Sequence, residues 1–309
     1  MKKNMINKTH LEGRVYDHEL EVKVTGEQSK VPGTTYITGT LNIATDEACL
    51  NIVPVHFSFV TPTTKKGTPN ATFTTLQGII DGVYGCVMGD GKDKATKVRI
   101  DSAIALNEFY TEKDGKEEFV SVKRNEGGFV HICDTLSPDE DARNTFDFDM
   151  LITGTRRVEA NPEKGIEEKV IVKGAIFDYA KALLPIEIAI TSEGGMDYFE
   201  GLEASPKNPT FTEIKGNQIS ETITVTKEEP SAFGKPKIKT TTSSRKEFLI
   251  DWARPDPYLW DDESTITVAE LNDAITKREI HLATLKKNRE DYLAKKNAPV
   301  APVASAFNF

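Results

Sequence analysis

The chain has 309 residues and a formal net charge of −9, with 38% apolar and 28% charged residues. Its length is enough for about two domains, and its composition is that of a globular chain able to bury a core. The acidic balance works against indiscriminate attraction to a phosphate backbone, and no apolar run reaches the ~18 residues of a membrane span. The three cysteines, Cys49, Cys86 and Cys133, make neither a CxxC pair nor a disulfide framework.

MKKNMINKTH at the start has lysines but no apolar stretch after them, so a cytoplasmic location and no membrane association are expected. From Thr9 to Val60, apolar residues recur at period two: Leu11, Gly13, Val15; Leu20, Val22, Val24; Ile37, Leu41, Ile43; Val53, Val55, Phe57, Phe59. This is the pattern of half-buried strands, and by parity Phe57 and Phe59 belong to the core. Further strands are expected over Thr72–Val87, Thr96–Phe109, Glu118–Val122 and Gly128–Cys133, with no helix of useful length between them. The acidic stretch DTLSPDEDAR, 134–143, lacks apolar period and reads as a linker. Strand patterns resume from Phe146 to Trp252. Strand-interior glycines in LEGRVYD and VKGAIFD, and in the two copies of ITGT, suggest sheets that curl into two small barrels. Beyond 263 the period changes. Thr267 and Glu270 fit a capping box, and Val268, Leu271, Ile275, Leu282, Leu285 and Tyr292 fall on one helical stripe. That helix either packs on a barrel or forms a seam with another copy of the chain. The last residues, NAPVAPVASAFNF, are expected to be extended.

Catalytic motifs fail on inspection. DGVYGCVMGDGKDK has Cys86 where a phosphate-binding loop needs its first glycine and Asp93 where it needs Ser or Thr. His131 and Cys133 are two residues apart, with no second pair at metal-ligand spacing. No catalytic residue, metal or cofactor is therefore expected. The opposite face of the strands is more informative, because single-strand binders need rings for unpaired bases and cations for phosphates. Arg14, Tyr16, Lys23 and Tyr36 lie on that face in the first half. Arg156, Arg157, Lys173 and Phe177, with the basic hairpin residues Lys237, Lys239 and Arg245, supply it in the second.

The β-rich order, the first strand LEGRVYD and the phenylalanine-tipped Pro/Ala tail resemble the OB-fold single-stranded DNA-binding proteins of bacteria and bacteriophages. The resemblance implies barrels that hold a single strand on their strand 2–3 face and a tail that docks replication and repair proteins, here through Phe307 and Phe309. That family's tail is acidic, whereas 298–309 has no carboxylate side chain. The expected architecture is mainly β: an OB-like domain over 5–133, a linker over 134–143, a second OB-like domain over 144–262, a helix over 263–296 and a tail over 297–309. The expected function is sequence-tolerant single-stranded DNA binding in replication or recombination, encoded by a phage or mobile element and acting in the bacterial cytoplasm. The alternative is a virion structural or assembly protein, and a homo-oligomer through the C-terminal helix fits either.

Overall fold

The structure, a computed structural model, describes residues 5–162, 165–229, 232–260 and 266–297. Strands β1 (Asn7–His18), β2 (Glu21–Val24), β3 (Thr35–Ala44) and β4 (Ile52–Val60) are followed by helices α1 (Ala71–Ile80) and α2 (Val87–Asp90). A long hairpin, β5 (Lys97–Lys113) and β6 (Lys116–Ile132), completes the first half. The second half contains β7 (Thr145–Val158), β8 (Lys169–Phe177), β9 (Leu183–Ile190), α3 (Glu193–Gly201), β10 (Thr210–Glu229), β11 (Lys237–Ala253) and α4 (Val268–Asn297).

Two closed barrels follow from the ladders. In the first, β1 pairs with β3, β3 with β4, β4 in parallel with β6, β6 with β5, and β5 returns to β1. In the second, β7, β8, β9, β11 and β10 close in the same cyclic order, and the β9–β11 contact is again the parallel one. Numbered within each barrel, both circuits read 1-2-3-5-4-1, with a helix between strands 3 and 4. This is the OB arrangement.

Period-two alternation places Leu11, Val15, Leu41, Val55 and Phe57 inside the first barrel and Phe148, Ile152, Val172, Ile186 and Ile188 inside the second. The glycines noted in LEGRVYD and VKGAIFD sit where strands 1 and 2 approach closely. A Cβ on Gly13 would lie 2.1 Å from the Ala44 carbonyl oxygen, and one on Gly174 would lie 2.0 Å from that of Leu151. Any side chain there would push apart the strands that close each barrel.

The structure corrects the strand expected over 72–87, which is helical. Asn70 caps α1 by accepting a hydrogen bond from the Thr72 amide at 3.2 Å, and Leu76 and Ile79, three apart, enter the first core. Burial of that face overrides the β preference of the Thr/Ile-rich sequence. The separate strands expected over 118–122 and 128–133 are one strand, β6.

The barrels are joined by an antiparallel seam, Asn7↔Phe148, Lys8↔Asp147 and Thr9↔Phe146. Asn7 fastens it, donating from Nδ2 to the carbonyls of Ile104 and Phe177, each at 3.0 Å. A second junction surrounds Gln218 on β10: Asn125 Nδ2 donates to its Oε1 at 2.9 Å and Asn144 Nδ2 to its carbonyl at 3.0 Å. The 134–143 segment is packed through Arg143, whose buried guanidinium donates to the Ser137 carbonyl at 2.6 Å and meets Glu47 at 3.0 Å.

The capping box forms, with the Thr267 amide donating to Glu270 at 2.9 Å and the Glu270 amide to Thr267 Oγ1 at 3.2 Å. Leu271 and Ala274 of α4 then pack on the outside of the second barrel. Farther along, Arg278 forms a two-pronged pair with Glu108 of β5, 2.5 Å on each side, and Arg289 reaches Glu117 at 3.1 Å. The helix thus lies against one barrel and along the hairpin of the other.

Candidate nucleic-acid interface

The outer face of β3 and β4 carries what their alternation leaves over: Tyr36, Thr38 and Thr40 on β3, His56 and Ser58 on β4. Tyr36 and Phe59 form a ring pair with centroids 4.5 Å apart, and Phe59 is 53% exposed. Parity assigned Phe59 to the core with Phe57, but a register shift between Gly39↔Phe57 and Ile37↔Val60 reverses the alternation, so Phe57 and Val60 pack on the core and Phe59 faces out. Beside Tyr36, Lys23 of β2 occupies the paired position and meets Glu21 at 2.8 Å.

The parallel contact with β6 adds a polar patch. Ser58 Oγ donates to Glu126, Arg124 Nε meets Glu126 at 2.7 Å, and an Arg124 terminal nitrogen reaches Ser58 Oγ at 3.4 Å. Burial, and then the Arg124 charge, push the His56 imidazole below its ordinary value. Its Nδ1 lies 3.5 Å from the Thr40 hydroxyl. Arg124 and Glu126 were not singled out in the sequence. Only knowledge of which strand runs beside β4 brings Arg124 and Glu126 to this face.

On the equivalent face of the second barrel one end is closed, while Lys173, Pro185 and Glu187 farther along it line an open cavity of about 430 Å³. Phe177 points outward from the barrel as parity requires, yet it is 0% exposed. Its ring packs edge-on against Phe211, 6.0 Å away, in a cluster with Leu151, Tyr258, Ile266 and Ala274. The expectation of Phe177 as a stacking surface is therefore corrected: Phe211, Tyr258, Ile266 and Ala274 cover it. Lys123 of β6 borders that cavity, donating to the Glu187 carbonyl at 2.6 Å and lying over the Phe248 ring at 5.4 Å.

The other expected site residues are scattered. Arg14 meets Glu47 at 3.0 Å, in a knot completed by Lys92 at 3.2 Å and Arg143. The Arg14 hydrogen bond leads in holding the Glu47 carboxyl down to about 2, with Lys92 and Arg143 adding to it against the opposing effect of burial. Tyr16 lies half-buried at a bulge in β1. Arg157 pairs with Glu168 at 3.4 Å and Glu200 at 3.7 Å, whereas its neighbour Arg156 is exposed. Lys173 meets Glu187 at 3.8 Å. Arg245 pairs with Glu247 at 3.0 Å and Glu167 at 3.8 Å. Lys237 is exposed on β11, and Lys239 lies opposite Lys227 in the same ribbon. Phe307 and Phe309 lie outside the described residues. Of the expected set, the structure brings together Lys23 and Tyr36.

Fold and site together define a protein of two linked OB barrels with one strand 2–3 face open and the other covered at one end. The YorF family model matches residues 6–288, and the chain belongs to that family. No curated protein matches it. Among solved structures, it is similar to a deletion mutant of the single-stranded DNA binding protein from Thermus aquaticus. That similarity has 12% identity and a TM-score of 0.45, over 84% of this chain and 97% of the other. The wild-type protein from the same organism gives 9% identity and a TM-score of 0.43, over 81% of this chain and 93% of the other. Among the described residues, no helix is long and apolar enough to cross a membrane.

Proposed function

We propose that the first barrel binds unpaired DNA strands without strong sequence preference on the outer face of β3, β4 and β6. The observation that carries this reading is the Tyr36–Phe59 ring pair, Tyr36 half-buried and Phe59 exposed, on the face that OB barrels use for oligonucleotides. A base face stacks on such a ring whatever its identity. Thr38, Thr40 and Ser58 supply hydroxyls for backbone or base edges. The cations here are already paired, Lys23 with Glu21 and Arg124 with Glu126. Binding therefore draws more on stacking than on phosphate neutralisation.

The role belongs to replication or recombination of a phage or mobile element in a bacterial cytoplasm. Docking of partner proteins by the tail through Phe307 and Phe309, and self-association through the outer side of α4, are parts of the same proposal.

Titration of a labelled oligo-dT, followed by anisotropy, tests it. Binding to the single strand with little binding to a duplex of the same length is expected. No binding at low salt would overturn the reading and favour an assembly role for the two barrels.

A further inference from the structure

We infer that the seam between the barrels is a second contact site for an unpaired nucleic acid strand, centred on Lys8 and flanked by the rings of Phe129 and Tyr179. The inference rests on the single-strand reading of the first barrel, but it uses other residues on another face.

Leu11 and Val15 point into the first barrel, so Lys8 and His10 point out of β1. Register then builds the site. His10 lies opposite Asp101 of β5, Asp101 opposite Phe129 of β6, and Lys8 opposite Asp147 of β7. Two cavities share Lys8 as a wall. One, of about 540 Å³, is lined also by His10, Ser102 and Phe129. The other, of about 390 Å³, is lined also by Met5, Ala103 and Tyr179. Both fall in the size range of small-ligand sites.

The two rings are displayed to solvent. Phe129 is 71% exposed, and its nearest ring, His131, is 6.5 Å away. Tyr179 is 107% exposed and has no ring partner among the described residues. Neither position is loose. The Phe129 backbone is held in the β5–β6 ladder. Tyr179 rides a turn closed by the Asp178 amide to the Ala182 carbonyl at 3.0 Å, the Lys181 amide to the Asp178 carbonyl at 2.9 Å, and the Ala182 amide to the Asp178 carboxylate at 2.7 Å. With the backbone held in this way, stacking a base costs only the rotamer freedom of the ring itself.

The carboxylates around Lys8 each have a partner of their own. Asp101 is engaged by His10 at 2.7 Å, Asp147 by Lys215 at 3.5 Å, and Asp178 by its own turn. Lys8 and Lys181, by contrast, make no ion pair among the described residues. A phosphate at Lys8 with a base on either ring satisfies all three features. A duplex, whose bases remain stacked on one another, does not.

The test joins ultraviolet cross-linking of bound oligo-dT, mapped by mass spectrometry, with affinities of the full chain and of a Lys8→Ala, Phe129→Ala, Tyr179→Ala variant. An oligo-dT of about 8 nucleotides fits within one OB barrel, whereas one of about 40 exceeds it. Cross-links at Phe129 or Tyr179, and a loss of about five-fold or more on the longer strand alone, are expected. Unchanged affinity for both strands, with wild-type binding intact, would overturn the seam site and leave the first-barrel reading standing. A wild-type chain that binds neither strand would overturn both.

Discussion

Tyr36 and Phe177 show how the same parity rule led to opposite outcomes at two residues. Both point away from their barrel interiors. Tyr36 meets solvent and Phe59, whereas Phe177 meets Phe211, Tyr258 and Ile266. Alternation gives the side of a strand, and it carries no information on what else packs against that side. Arg14 was legible as outward for the same reason. Its partner Glu47, 33 positions on in a loop, was not, because an ion pair between a strand and a loop leaves no periodic trace. The Glu47 knot has a measurable consequence. Its carboxyl is lowered from an ordinary 4.5 to about 2, chiefly by the Arg14 hydrogen bond. The stability it contributes is therefore fully present above pH 4.5 and is lost as pH falls toward 2. Glu47→Gln should flatten the fall in thermal midpoint across that window while leaving the contributions of Glu108 and Glu247, also lowered, in place. An acid profile identical to wild type would show that the knot adds no pH-dependent stability.

At the level of elements, α4 was legible from its capping box and helical period, and α1 was not. In α1 the Thr/Ile-rich sequence favours a strand, and the deciding contribution is burial of Leu76 and Ile79 against a barrel formed by distant residues. Asn70→Ala removes the α1 cap and should cost about 1 kcal/mol in urea unfolding. A null effect would mean the Asn70 side chain adds nothing at that helix end. The α4 contact with the β5–β6 hairpin should be worth more. Burial raises the Glu108 carboxyl, but hydrogen bonds from Arg278 and Ser121 prevail and hold it below its usual value. Arg278→Ala leaves that carboxylate, 1% exposed, without its two-pronged partner. The expected loss is about 3 kcal/mol. Arg278→Lys should recover only part of it, because a single ammonium cannot reproduce the paired geometry. Equal stability of Arg278→Ala and wild type would show that the clasp is not a stabilising contact.

Across the whole molecule, two barrels of one topology differ in how much of the strand 2–3 face is covered. In the second, Tyr258, Ile266 and Ala274 cover the Phe177 end of the strand 2–3 face, and Lys173, Pro185 and Glu187 stay open beside it. Two small barrels were legible in the sequence from curled strands with interior glycines. The difference in coverage was not, since it depends on which barrel the C-terminal helix covers. Because the cations on the open face are paired, few counterions are released on binding. The slope of log affinity against log salt for oligo-dT should stay below about 2 in magnitude, at about 0.7 per phosphate neutralised. A much steeper slope would place the main contact on the unpaired lysines elsewhere. The central claim, that bases stack on Tyr36 and Phe59, is tested most directly by the affinity of a Tyr36→Ala, Phe59→Ala variant for oligo-dT, with its urea midpoint measured alongside. A loss of about ten-fold or more with the fold retained is expected, whereas wild-type affinity in a folded variant would contradict it.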